Sequence, residues 1–85
     1  MPETRVAIVT HYFGRIGVAV VKATDGTLAV GDTIHIKGHT TDHLQTVESL
    51  QIDKQPIQRL EPGMEAGLKV GCHVHEHDAI YKVTP

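Results

Sequence analysis

The chain has 85 residues, enough for one small domain with a single core and little surplus stability. Hydrophobic residues make up 40% and charged residues 21%, a globular rather than a disordered composition. A net charge of −2, with eight Lys and Arg scattered along the chain, argues against strong non-specific nucleic-acid binding, which needs a clustered basic face. Cys72 is the one cysteine, so an intramolecular disulfide is excluded and a reducing compartment is expected. Met1 to Arg5 lacks the apolar stretch of a secretory signal, and no apolar run approaches the roughly 20 residues of a membrane span. The expectation is a single domain over residues 1–85 that is soluble, cytoplasmic and without a membrane partner.

Strand signals are dense and helix signals nearly absent. Residues 5–12 (RVAIVTHY) form a β-branched run that breaks at Phe13-Gly14. Residues 16–23 (IGVAVVKA) form a second run, ending at the turn Thr24-Asp25-Gly26. After the turn at Val30-Gly31-Asp32, Ile34 and Ile36 alternate with Thr33, His35 and Lys37, the pattern of a strand with one wet face. Residues 38–42 are a polar loop, and residues 43–53 (HLQTVESLQID) read as one longer strand closed by Lys54-Gln55-Pro56. Residues 57–60 suit either a short edge strand or a single helical turn.

From Met64 to Val74 the even positions are apolar, whereas Glu65, Lys69, His73 and His75 on the odd positions are polar. That parity predicts a strand with a core face and a solvent face, kinked at Gly67 and Gly71. Cys72 shares the apolar parity and reads as a small core residue. Glu76-His77-Asp78 is a tight turn, and residues 79–84 (AIYKVT) form the last strand. Short strands at roughly 8–12-residue spacing predict an all-β fold, a small closed barrel of about six strands.

Two constellations stand out. Glu48 shares parity with Leu44, Leu50 and Ile52, so a regular strand turns its carboxylate toward the apolar side. A bulge that returns it to water, a basic partner such as Arg15, or a ligand's hydrogen-bond donors would each relieve that cost. His73, His75 and His77 recur at every second position, a spacing that suits Zn²⁺, Ni²⁺ or Cu²⁺, with Glu76 and Asp78 as oxygen donors. His77, however, falls at the tip of a turn, where a positive φ would carry it away from the other two.

The order Phe13-Gly14-Arg15, Gly26-Thr27, Val30-Gly31-Asp32 and the segment PGMEAGLKV (residues 62–70) resemble the domain-two β-barrel of elongation factor Tu and related translation GTPases. The chain looks most like a free-standing elongation factor-like protein, and similar barrels form the tail domain of some U32-type peptidases. The resemblance implies a non-enzymatic binding module with a shallow nucleotide-end pocket. By position that pocket falls on Tyr12, Gly14, Val18, Glu48 and Val70, with Arg15 and Lys37 as phosphate contacts. Its partner would be tRNA, rRNA or ribosome-associated machinery; the alternative is a protein-interaction barrel docked on an enzyme such as a U32-type peptidase. Metal binding at the histidine run is a third, weaker reading. No GxxxxGK[ST] loop is present, so GTP binding is not expected, and the residues call for neither a cofactor nor a catalytic nucleophile.

Overall fold

A computed structural model describes residues 3–84. Ten strands occur among the described residues: β1 (Glu3–Phe13), β2 (Val18–Ala23), β3 (Leu28–Ala29), β4 (Thr33–Lys37) and β5 (Asp42–Thr46), then β6 (Leu50–Ile52), β7 (Gln55–Ile57), β8 (Arg59–Leu60), β9 (Glu65–Lys69) and β10 (Ala79–Val83). None of the described residues is helical. The all-β expectation holds.

Eight strands form one antiparallel sheet in the order β5-β4-β10-β1-β2-β9-β6-β7, and β3 pairs with β8 beside it. Alternating apolar positions from β1, β2, β4, β9 and β10 meet in one core with Leu28, Leu50 and Leu60. Val9, Val21, Leu28, Ile34, Ile36, Leu50, Leu60, Leu68 and Ile80 are all fully buried, each worth about 1.5–3 kcal/mol relative to exposure. β1 is irregular twice, with register shifts between Arg5 and Ala7 on its β10 side and between Val9 and His11 on its β2 side. Such bulges bend a strand and let it follow a curved sheet.

The run expected as one strand over 43–53 is instead two. Val47-Glu48-Ser49 interrupts it, because Val47 bonds the turn before β4: Gly31 N–H donates to the Val47 carbonyl (2.9 Å) and Val47 N–H to the Asp32 carbonyl (2.8 Å). Parity changes across the break. Leu44 on β5 is 59% exposed, whereas Val47 and Leu50 are buried. The closed six-stranded ladder is not present as such, since the hydrogen-bonded order ends at β5 on one side and β7 on the other. β5 and β6 are nevertheless adjacent pieces of chain. Residues 57–60 form neither a single edge strand nor a helical turn: Ile57 ends β7, Gln58 is a bend and Arg59–Leu60 is β8, while Pro56 lies on the edge strand β7, where a missing N–H costs little.

Candidate functional site

The β1–β2 corner is built by a four-residue turn, in which Gly17 takes a φ of 66° that a side chain would resist. The second strand therefore begins at Val18 rather than at Ile16. The Gly17 carbonyl accepts from Val70 N–H (2.9 Å), which ties the corner to the end of β9. Tyr12 is half-buried against the core and meets the His73 ring edge-on, with centroids 4.7 Å apart. Phe13 (47% exposed) and Ile16 (66% exposed) project from the same corner, and His11 contacts the Phe13 ring at 4.5 Å. Gly14 and Arg15 are exposed. Val18 is half-buried beside Gly67.

Glu48 is exposed, because the break at 47–49 turns it to water; of the three ways to relieve its carboxylate, the backbone irregularity is the one found. It lines a depression of about 190 Å³ with His43, Gln45, Lys69, Val70 and Gly71. Tyr12, Gly14, Arg15 and Val18 are not among those residues, so the expected nucleotide-end pocket is not assembled as one cavity. Gln45 dominates the depression. Its Nε2 donates to the Lys69 carbonyl (2.9 Å), while its Oε1 accepts from Gly71 N–H (3.0 Å) and lies 3.0 Å from His43 Nε2.

The 75–78 turn and the β4–β5 loop enclose a larger cleft of about 440 Å³, lined by Gly38, His39, Thr40, His75, Glu76, His77 and Asp78. Asp78 is buried, accepts from His75 N–H (2.9 Å), and lies so close over Gly38 that an added Cβ would sit 1.9 Å from its Oδ1. His75 Nδ1 faces the buried Thr41 hydroxyl at 3.1 Å. The His73 and His75 rings are neighbours, with centroids 4.7 Å apart. His77 has a φ of 75°, and among the described residues no three His, Cys, Asp or Glu side chains converge to hold a metal ion. The three-histidine site therefore reduces to a pair.

One polar cluster escaped the sequence reading. His35 on β4 contacts Glu3 Oε2 through Nδ1 (2.7 Å) and Asp42 Oδ1 through Nε2, while Lys37 Nζ is 3.9 Å from Glu3 Oε1. The bonds from Asp42 and Glu3 raise the His35 pKa above its ordinary value, and the same imidazole lowers that of Asp42. Glu3 and His35 are 32 positions apart, and only strand order brings them together. Cys72 is half-buried on the core side, and burial, with Asp78 adding to it, pushes its thiol pKa up.

No family model matches the chain. Over 72 residues, 84% of the chain, it is 33% identical to a collagenase of Porphyromonas gingivalis, of which it covers 20%. It matches a second collagenase from the same species at the same identity and covers 17% of that protein. The chain spans about a fifth of the length of the curated relatives it matches. Among solved structures it is similar to the C-terminal domain of a Geobacillus thermoleovorans protein assigned as a U32 peptidase, with a TM-score of 0.87 at 17% identity, covering 95% of this chain and 93% of that one. The selenomethionine form of that domain gives a TM-score of 0.83 at 18% identity. The fold is that of a U32 peptidase C-terminal domain.

These likenesses overturn the reading as a free-standing elongation factor-like protein. The motifs behind it serve local needs that many small β domains share. Gly31 supplies a φ of 98°, and Asp32 Oδ2 accepts from Ala29 N–H (2.9 Å), which closes a tight turn before β4. Such a turn marks a strand junction and carries no information about RNA.

Proposed function

We propose that this chain is a non-catalytic interaction domain of a U32-type peptidase, docking on the remainder of such an enzyme. The observation that carries the reading is the fold likeness, which takes in 95% of this chain and 93% of the solved C-terminal domain. The collagenase relatives support it, because the matched stretch is one portion of a much longer protein. In this reading the scaffold is a closed barrel: residues 47–49 join β5 to β6, and the Gln45 amide spans the seam to Lys69 and Gly71. The single free thiol fits a reducing, cytoplasmic setting.

A non-catalytic role is supported by the chemistry of the candidate nucleophiles. Burial, with Asp78 adding to it, raises the Cys72 thiol pKa and so disfavours the reactive thiolate. Thr41, His75 and Asp78 have the composition of a triad, but the Thr41 hydroxyl and the Asp78 carboxylate both face the same ring nitrogen, at 3.1 and 3.9 Å. In a working triad the nucleophile and the orienting carboxylate engage opposite ring nitrogens of the histidine, which is itself the base. The docking face in this reading is the corner of Phe13 and Ile16, whose apolar side chains stand in solvent.

The test is co-elution of this chain with a U32-type peptidase from which the corresponding domain has been deleted. The complex should survive high salt and nuclease, and Phe13→Ser with Ile16→Ser should weaken it about tenfold, or roughly 1.4 kcal/mol. Binding that needs RNA and collapses with salt would instead indicate a nucleic-acid partner.

A further inference from the structure

We propose that His73 and His75 form a two-imidazole site for a divalent late transition-metal cation, Cu²⁺, Ni²⁺ or Zn²⁺. Both residues are exposed on the segment that follows β9, and Val74 between them is buried, which anchors the backbone that carries them. Their ring centroids are 4.7 Å apart, with the ring planes tilted by 54°. Two imidazoles sharing one ion at metal–nitrogen bonds of about 2.0–2.1 Å have ring centres roughly 4.5–5 Å apart. The pair is thus at the right spacing before any ion arrives.

The surroundings orient each ring. His75 Nδ1 faces the Thr41 hydroxyl at 3.1 Å and lies 3.9 Å from Asp78 Oδ2. Thr41 and Asp78 are both buried, so these partners are fixed. A ring engaged at Nδ1 presents its Nε2 lone pair outward, and an oxygen partner on the far nitrogen is the usual support of a metal-binding histidine. On the other side, His73 packs edge-on against Tyr12, which is anchored in the core.

The donor set selects the metal. Neutral imidazoles suit Cu²⁺, Ni²⁺ and Zn²⁺, with Cu²⁺ bound tightest, whereas Ca²⁺ and Mg²⁺ require oxygen donors. No third side chain converges among the described residues, so the remaining coordination positions go to water or to a donor from another protein. His77 is outside the pair, because its φ of 75° sets it on the turn. The site is independent of the interaction-domain reading and stands or falls by itself.

Zinc titrated into the full isotope-labelled chain at neutral pH, followed by imidazole ¹⁵N resonances and by calorimetry, tests the proposal. One ion per chain should bind, with Nε2 shifts confined to His73 and His75; this readout needs no variant. His73→Gln or His75→Gln should weaken binding at least about tenfold and Thr41→Val by about tenfold, whereas His77→Gln and His39→Gln should leave it unchanged. Shifts spread over the seven histidines, no saturation at one equivalent, or affinity that survives loss of both His73 and His75 would overturn it.

Discussion

His35 shows how much a single residue's role depends on partners far away in sequence. In the alternating pattern of β4 it reads as one more polar position between Ile34 and Ile36. In the fold a carboxylate faces each ring nitrogen, Glu3 on one side and Asp42 on the other, and both nitrogens can donate only in the imidazolium form. The His35 pKa is raised above its ordinary 6.5, so the stability it contributes is fully present below about pH 6.5 and is lost as pH rises through the raised value. The Asp42 pKa is lowered from 3.8, so its contribution is present above that value and is lost as pH falls through the lowered one. The two directions leave a window of maximal contribution between about pH 4 and 6.5. Urea unfolding at about pH 5.5 and 8 should therefore give the higher midpoint at the lower pH. His35→Gln should flatten that difference, and an unchanged difference would show that the clamp does not govern the pH response.

Among the elements, the sequence was most legible where one periodicity ran without interruption. Ala66, Leu68, Val70 and Val74 are buried and Glu65, Lys69, His73 and His75 exposed, as their alternation implies, but Met64 is 38% exposed and the strand expected from 64 to 74 ends at Lys69, with bends at Gly71 and Cys72. The run from 43 to 53 was misread because a period-2 pattern has no way to signal that its phase changes. Leu44 and Leu50 share parity but lie on opposite sides of the break at 47–49, and Glu48 inherited a buried position it does not have. The β6–β7 hairpin escaped for a related reason. Its two turn residues, Asp53 (φ 52°) and Lys54 (φ 66°), adopt positive φ without the Asn-Gly or Asp-Gly signal that usually announces such a turn. Lys54 thus carries backbone strain that glycine would not. Lys54→Gly creates the favoured Asp-Gly pair and should stabilise the domain by about 0.5–1 kcal/mol, read as a higher midpoint in denaturant at unchanged m-value. No gain would mean that the turn's conformation is held at no cost by the pairing of Ile52 with Gln55.

For the whole molecule, the ends of the hydrogen-bonded order decide whether the sheet behaves as an open ribbon or a closed wall. β5 and β9 are not backbone-paired, yet the Gln45 amide donates to the Lys69 carbonyl and accepts from Gly71 N–H, the two bonds a neighbouring strand would make around Val70. One side chain thus makes, between β5 and the end of β9, the bonds that a peptide group would make. An open edge exposes unpaired N–H and C=O groups and invites pairing with other chains, which a side-chain closure prevents. Gln45→Ala removes both bonds and leaves the groups of residues 69 and 71 to water. The cost should be about 1–2 kcal/mol, since two neutral hydrogen bonds are lost at a partly solvated site. The distribution of that loss is the sharper readout. If Gln45 closes the wall, amide hydrogen exchange should accelerate at Gly71 and along β5, far more than in β1 and β2 on the opposite side of the ladder. A uniform acceleration would mean that the substitution lowers global stability without opening a seam, and the sheet would then hold its curvature through the core alone.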